Sequence, residues 1–183
     1  MRVAPVLVVV LLSVSPLGQA RDPVTPYLAP RYTASPDAPS TMIIAGPDEP
    51  GERLVVTGRT LAGTTPVAGV SIYAFQTDAS GRYAPGLPNG GQAELNPRLH
   101  GALRTDAQGR YRYETIRPGF YNGPRHVHHV VIAPGFVPRL VDLRFQDDPM
   151  LAARRQAAIP KWKPKRSSCR RARFNRTAWL SAR

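Results

Sequence analysis

The sequence predicts an all-β protein, an antiparallel β-sandwich, and three observations carry that prediction. Between residues 53 and 145, short apolar segments rich in Val, Ile, Tyr and Thr alternate with Gly, Pro, Asn and Asp. Segments of this length and composition are typical of strands in antiparallel sandwiches. Only one stretch, residues 149–158, has a helical pattern. The length that remains once the first twenty residues are set aside, about 160 residues, suits one domain with one core.

Five segments are predicted to be strands. In chain order they are RLVVTGR (53–59), GVSIYAFQT (69–77), RYRYETI (110–116), HVHHVVIA (126–133) and RLVDLRF (139–145). Side chains alternate between the two faces of a strand. In the second segment Val70 and Ile72 fall on one face, and Tyr73 and Phe75 fall on the other. Because both faces are apolar, we expect other parts of the protein to cover this strand on both sides.

The sequence divides into five parts. They are a signal peptide (1–20), a Pro-rich arm or linker (21–50), the β-sandwich (51–148), a short helix (149–160) and a basic tail (161–183). The arm is rich in turn residues, so we expect it to be extended rather than packed. The tail contains nine Lys and Arg and no acidic residue, and we expect it to be disordered. An out-of-frame end is the alternative interpretation of its arginine-rich composition.

The first twenty residues have the pattern of a secretory signal peptide. Arg2 provides a short positive region, and VAPVLVVVLLSV is an apolar stretch too short to span a bilayer comfortably. Gly18 and Ala20 are small residues at the positions that a signal peptidase reads. We therefore expect an exported protein, periplasmic or extracellular, with no membrane association beyond export. An uncleaved anchor is the alternative interpretation of the same segment.

The formal net charge of +13 belongs mostly to the tail. Without the nine basic residues of 161–183 the net charge falls to +4, so the rest of the chain is nearly balanced. Basic runs attract polyanions, but no patterned motif accompanies this one, and we expect no specific nucleic-acid partner. Cys169 is the only cysteine, which excludes an internal disulfide bond.

A short sequence occurs twice, as TDASGRY at 77–83 and TDAQGRY at 105–111. An Asp at the start of a tight turn, with a Gly that adopts positive φ, is typical of hairpins. We therefore predict two hairpin turns that each lead to a tyrosine, and we interpret Tyr111 as a structural residue of a strand. Two occurrences do not make a repeat protein.

Three of the four histidines follow a tyrosine closely, in TIRPGFYNGPRHVHH (115–129). On a strand, His126 and His128 share one face and His129 lies on the other. Two adjacent imidazoles suit a metal ion, but the further His, Cys or carboxylate that zinc or iron(II) needs is not evident nearby. The nearby phenol of Tyr121 must lose a proton of pKa about 10, which only a hard, highly charged cation drives. Tyrosinate with imidazole therefore indicates iron(III).

These motifs resemble the intradiol ring-cleavage dioxygenases, the protocatechuate and catechol dioxygenase group. The resemblance covers about residues 50 to 148 and rests on GRTLAGTTPVAGVSIYAFQTDASGRY, then TDAQGRYRYETIRPGFY, then HVH. It implies a β-sandwich of the intradiol dioxygenase type and a ferric ion, Fe(3+), held by four side chains: Tyr83, Tyr121, His126 and His128. The turn NGPR before His126 is shorter than in the protocatechuate enzymes, which is a departure from the family.

The resemblance also implies an enzyme. The expected reaction cleaves a catechol-type ring between its two hydroxyls with O2 and gives a cis,cis-muconate-type product. Tyr121 would accept a proton from the diol, and Arg125 would stabilise the negative charge that develops on it. His129 is expected to pack or to support a ligand, and His100 to lie in an exposed loop. The expected partners are the aromatic diol and O2, and a homo-oligomer is left open.

The alternative hypothesis is a metal-free binding module. It is a transthyretin-like or carboxypeptidase-regulatory-like β-sandwich in which Tyr83 and Tyr121 are ordinary core or surface aromatics. The two hypotheses differ in one geometric expectation, because the four ligand side chains need to converge on a point only in the enzyme.

Overall fold

The computed structural model describes residues 6–7, 27–28 and 30–151. Most of the predicted signal peptide, the start of the arm, the helix predicted beyond residue 151 and the basic tail lie outside the described residues. At the end of this range a helix begins at Pro149, and the Asp148 carboxylate caps it by accepting from the Met150 amide at 2.8 Å. None of the helices in the described residues is long and apolar enough to cross a membrane.

The described residues form two four-stranded sheets, and one two-stranded sheet made of the fourth and fifth strands in chain order. In chain order the elements are β1 (Val6–Leu7), β2 (Thr41–Ile43), β3 (Arg53–Arg59), β4 (Leu61–Ala62), β5 (Thr65–Pro66), β6 (Ser71–Gln76), the short helix α1 (Gln92–Leu95), β7 (Leu99–Arg104), β8 (Arg110–Ile116), β9 (His126–Ile132) and β10 (Arg139–Arg144). Sheet I has the order β1-β3-β8-β2, and sheet II has the order β10-β9-β6-β7. The long strands pair antiparallel, and only the short edge strands β1 and β2 pair parallel. The predicted all-β antiparallel sandwich is confirmed.

All five predicted strands are present, as β3, β6, β8, β9 and β10. The other five strands were not predicted: the two- and three-residue strands β1, β2, β4 and β5, and the longer strand β7. In β7 the interior residue Gly101 weakens the strand signal, because glycine is depleted from strands. The structure gives the reason for this glycine: a Cβ at Gly101 would lie 2.8 Å from the Met42 Sδ of β2. Glycine therefore lets the edges of the two sheets approach each other here.

Apolar side chains form two layers, one on each face of sheet II. The first is the core between the sheets, which includes Leu54, Val56, Val70, Ile72, Leu103, Tyr111, Tyr113 and Val127. The second covers the outer face of sheet II and includes Tyr27, Tyr32, Tyr73, Phe75, Tyr83 and Val130. Strand β6 contributes to both layers, and all of its residues are buried. The prediction that this strand is covered on both faces is confirmed.

The Pro-rich arm packs on the protein, which differs from the expectation of an unpacked linker. The Tyr32 side chain is 2% exposed, and its hydroxyl donates to the carbonyl of Leu95 in α1 at 2.7 Å. The Tyr27 ring stacks on Phe75 of β6, with centroids 5.2 Å apart. Strand β2, which precedes the predicted boundary at residue 51, lies in sheet I. Buried aromatic area explains the difference, because each such ring buries enough apolar surface to order the chain around it.

Replacing Tyr32 by alanine is expected to lower the free energy of unfolding by about 3–5 kcal/mol, the range for deleting a large buried aromatic side chain. The matched change Leu28→Ala removes a side chain that is 48% exposed and should cost no more than about 0.5 kcal/mol. Urea unfolding of both variants beside the unsubstituted chain measures the difference. Equal stability of Tyr32→Ala and the unsubstituted chain would show that the arm is not anchored by this residue.

The two TDAxGRY segments form the same turn. The carboxylates of Asp78 and Asp106 each accept two backbone N–H groups at 2.7–3.0 Å. Gly81 and Gly109 have positive φ values of 82° and 71°. The predicted hairpins are nevertheless wrong, because the first turn leads from β6 into a loop and the second connects sheet II to sheet I. The turn residues determine the local geometry, whereas the partner of the next strand depends on tertiary packing.

Candidate metal centre

His126 and His128 lie together on the outer face of sheet II, as their alternation on β9 predicts. Their Nε2 atoms are 3.0 Å apart. Phe75 of β6 is the cross-strand neighbour of His128, and its ring stacks on the imidazole with centroids 4.6 Å apart. His128 is buried and His126 is half-buried. The stacking restrains the ring of His128 and directs its Nε2 towards His126.

Tyr83 completes this group from the loop that follows the first TDAxGRY turn. Its hydroxyl lies 2.9 Å from Nε2 of His128, and the side chain is 1% exposed. Backbone contacts hold the loop in place: the Tyr83 amide donates to the Asn89 side chain at 3.1 Å, and the Tyr83 carbonyl accepts from the Arg98 amide at 2.7 Å. Nε2 of His128 therefore lies within hydrogen-bonding distance of two other predicted ligand atoms, the phenol oxygen of Tyr83 and Nε2 of His126.

Tyr121 packs beside these three groups. Its ring meets the ring of Tyr83 edge to face, with centroids 5.4 Å apart. A Cβ added at Gly90 would lie 3.1 Å from the Tyr121 hydroxyl, so the loop that carries Gly90 passes close to it. Tyr121 is half-buried, and the next residue, Asn122, has a positive φ of 46°. All four predicted ligands thus lie in one cluster, with Tyr121 the one whose side chain has the fewest fixed contacts.

Hydrogen bonds at Nδ1 fix the tautomer of both imidazoles. Nδ1 of His126 lies 2.8 Å from the carbonyl of Pro124, and Nδ1 of His128 lies 2.8 Å from Oδ1 of Asp142. Since both partners are acceptors, each Nδ1 carries the proton and donates it, and each Nε2 presents a lone pair. Histidine ligands of metals are usually held in this way, by a carbonyl or a carboxylate on the other ring nitrogen.

The donor set fits a hard, highly charged cation. Within residues 30–151 and the two short described segments before them, no group of three or more His, Cys, Asp and Glu is placed to hold a metal ion, so a site here needs its tyrosines. Burial raises the pKa of Tyr83 well above its usual value, and the charge of Glu94 raises it further. Burial also lowers the pKa of His126. Only a cation with strong attraction to phenolate could ionise Tyr83 in these surroundings, and iron(III) is a cation of that kind.

Asp142 was not among the predicted site residues. It lies on β10 directly opposite His128, and the hydrogen bond from His128 holds the pKa of Asp142 well below its usual range. The sequence does contain a signal, because RLVDLRF follows HVHHVVIA after a short turn and an antiparallel pairing brings the two together. The register that places Asp142 opposite His128, rather than one residue away, is what the sequence alone leaves unspecified.

Arg125, the predicted stabiliser of negative charge, has different contacts in the structure. Its guanidinium lies over the ring of Phe120, 3.9 Å from the ring centroid, and its backbone amide donates to the Asp148 carboxylate at 2.9 Å. Its position immediately before His126 keeps it next to the cluster. Its catalytic role remains a prediction.

The two remaining histidines lie apart from the cluster. His129 is 3% exposed and points into the core between the sheets, where its Nε2 lies 2.7 Å from the Tyr113 hydroxyl. The expected packing role of His129 agrees with this position. His100 is exposed as expected, but it lies on β7 rather than in a loop, and its Nδ1 is 2.7 Å from the carbonyl of Pro97.

The fold and the cluster together define a class of protein, a β-sandwich that carries two tyrosines and two histidines on the outer face of one sheet. A family profile described as "Dioxygenase" matches residues 24–125, more than half of the chain. The chain belongs to the intradiol ring-cleavage dioxygenase family. Proteins of this family use ferric iron, which agrees with the donor set described above.

Relatives and solved structures agree with this assignment. The chain is 41% identical over 114 residues to the protocatechuate 3,4-dioxygenase beta chain of Burkholderia cepacia, covering 56% of this chain and 48% of that protein. It is 29% identical over 126 residues to catechol 1,2-dioxygenase 1 of Acinetobacter lwoffii, covering 57% and 40%. The dioxygenase domain of a dioxygenase carbohydrate-binding protein fusion from Streptomyces sp. SirexAA-E superposes with a TM-score of 0.53 at 28% identity, covering 66% of this chain and 73% of that chain. The chain thus spans less than half the length of the two curated relatives.

Proposed function

We propose that this chain is a ferric-iron dioxygenase that cleaves a catechol-type ring between its two hydroxyls with O2, giving a cis,cis-muconate-type product. In this proposal Tyr83, Tyr121, His126 and His128 are the iron ligands. The observation that carries the proposal is the convergence of the Tyr83 hydroxyl and the two Nε2 atoms. Ordinary core aromatics need no such arrangement, so the convergence favours the enzyme over the metal-free binding module.

When bound, ferric iron would supply a Lewis acid and a template for the two oxygens of the diol. The chain supplies the proton acceptor. Tyr83 is buried and its backbone is held on both sides, whereas Tyr121 is half-buried and rests on Tyr83 by an edge contact. Tyr121 is therefore the phenol free to move away from the cluster and accept a proton from the diol. Arg125 would stabilise negative charge on the ring once its guanidinium leaves Phe120.

Oxygen uptake tests the proposed reaction. The full chain loaded with ferric iron should consume about one O2 per catechol and form a product with the ultraviolet absorption of a cis,cis-muconate. His128→Ala removes a ligand and should abolish both signals, while His100→Ala changes an exposed histidine outside the cluster and should leave them intact. Iron-loaded protein that binds catechol without consuming O2 would contradict the proposed activity.

Asp142 is expected to support the metal through His128. Asp142→Asn removes the negative charge that holds the Nδ1 proton of His128, and such changes typically lower metal affinity by about 10–100-fold. Asp37→Asn makes the same charge change at an exposed turn residue and should leave iron affinity unchanged. Competition with a chelator of known affinity measures both variants. Unaltered affinity in Asp142→Asn would show that His128 is not held for metal binding by this carboxylate.

Export is a further part of the proposal, and it rests only on the pattern of residues 1–20. Cleavage after Ala20 would remove β1, an edge strand of sheet I, and would give a mature chain that begins at Arg21. The mass of the protein recovered from the periplasm or the medium of an expressing bacterium tests this. Protein recovered only from the cytosol with residues 1–20 intact would contradict it.

A further inference from the structure

Glu94 places a carboxylate beside the cluster. It lies in α1, which with the arm covers part of the outer face of sheet II. Its Oε1 atom is 3.9 Å from Nε2 of His128 and accepts from the Tyr27 hydroxyl at a long 3.4 Å. The side chain is 29% exposed. The helix that carries it is anchored to the arm, because Tyr32 donates to the carbonyl of Leu95 at 2.7 Å. The helix that carries Glu94 is therefore held beside the cluster.

Among the described residues, the only basic partner within ion-pair distance of the Glu94 carboxylate is His128. The other carboxylate near the cluster, Asp142, is hydrogen-bonded to His128 at 2.8 Å and to Arg144 at 3.0 Å. The guanidinium of Arg125 lies over Phe120. In the part of the chain that the structure describes, no Lys or Arg forms an ion pair with Glu94. Glu94 is thus a carboxylate beside the cluster that has no Lys or Arg partner among the described residues.

We propose that Glu94 sets the substrate class of the site, which accepts ortho-diphenols with neutral or cationic ring substituents and discriminates against those with an anionic substituent. This inference rests on the proposed function, because the diol is placed by the same four ligands. A ring held at the cluster would lie near the Glu94 carboxylate, because that carboxylate is 3.9 Å from Nε2 of His128. In partly buried surroundings, repulsion between Glu94 and an anionic ring substituent about 8 Å away would lower the affinity for that diol roughly tenfold or more.

A purely structural role is the other explanation for Glu94, since its carboxylate accepts from Tyr27 and could simply hold the arm against α1. The two roles predict different measurements. A structural role would change stability, or change the affinity for every diol by a similar factor. A role in selectivity changes the ratio of affinities for diols that differ only in the charge of the substituent.

The test is calorimetric titration of the full, ferric-iron-loaded chain without oxygen, with three probes: 4-methylcatechol, 3,4-dihydroxybenzoate and 4-(2-aminoethyl)catechol. The unsubstituted chain should prefer the neutral and the cationic probes to the carboxylate. In Glu94→Gln the ratio of Kd values for the carboxylate and the methyl probe should fall by about tenfold. In Glu94→Asp, which keeps the charge, most of the discrimination should remain.

Asp37→Asn is the matched control, because it removes one negative charge from an exposed turn and should leave the ratio unchanged. A Kd ratio in Glu94→Gln that stays within twofold of the unsubstituted chain, with iron content intact, would overturn the inference while leaving the proposed function standing. Failure of all three probes to bind the iron-loaded chain would overturn the proposed function, and the inference with it.

Discussion

Tyr83→Phe is expected to remove about half of the visible absorption of the iron-loaded protein, because it deletes one of two phenolate donors to the ferric ion. Its hydroxyl is the oxygen that lies 2.9 Å from Nε2 of His128, so iron affinity should also fall. Tyr111→Phe is the matched control. Tyr111 occupies the equivalent position after the second TDAxGRY turn, but its side chain packs in the core between the sheets.

Visible spectra and iron content of the two variants, prepared and loaded in the same way, make this comparison. Tyr111→Phe should keep the full absorption band and about one iron per chain. A loss of colour in Tyr111→Phe equal to that in Tyr83→Phe would contradict the assignment of Tyr83 as the ligand. Retention of the full band in Tyr83→Phe would contradict it as well.

Gly119→Ala is expected to destabilise the protein and to disturb the cluster at the same time. A Cβ at Gly119 would collide with the backbone amide of Gly81 and would lie 2.6 Å from the carbonyl of Ala79. These contacts join the turn before Tyr83 to the segment before Tyr121. Since backbone atoms cannot move aside as a flexible side chain does, we expect a loss of about 1–3 kcal/mol and weaker iron binding.

Gly46→Ala is the control for this change, because a Cβ at Gly46 meets no atom within 4 Å. Thermal unfolding should show a Tm lower by roughly 3–10 °C for Gly119→Ala and little change for Gly46→Ala. A chelator competition on both variants should show weaker iron binding only for Gly119→Ala. An unchanged Tm and iron affinity in Gly119→Ala would show that the two loops are not held together by their backbone contact.

Those strands could be predicted whose own residues show a strand pattern of apolar and β-branched side chains. Strand β6 is the clearest case, because apolar side chains on both of its faces predicted cover on both sides, and the structure provides it. Strand β7 was not predicted because it contains Gly101, which is needed for close packing against Met42 of the other sheet. The neighbouring sequence does not indicate that contact. The prediction of an unpacked arm was wrong for a similar reason. The prolines of the arm indicate a linker, whereas Tyr27 and Tyr32 pack on sheet II.

The candidate site also contains some residues that the sequence predicts and others whose positions depend on tertiary contacts. The grouping of His126 with His128 follows from strand alternation, Tyr121 was predicted from its closeness to them in the sequence, and Tyr83 came from the resemblance to the family. The carboxylates were missed because each reaches the cluster from a separate element: Asp142 through the pairing of β9 with β10, and Glu94 through the packing of α1. Such positions depend on register and tertiary contacts, which a linear pattern does not specify.

The iron content and visible spectrum of the purified full chain test most directly whether the four side chains hold one ferric ion. After loading with ferric iron and removal of the excess, we expect about one iron per chain and a red-brown colour from charge transfer between phenolate and iron. Adding catechol without oxygen should move the band to longer wavelength, because the diol would replace Tyr121 as a donor. A folded protein that retains no iron and stays colourless after loading would contradict the assignment of these four side chains as iron ligands.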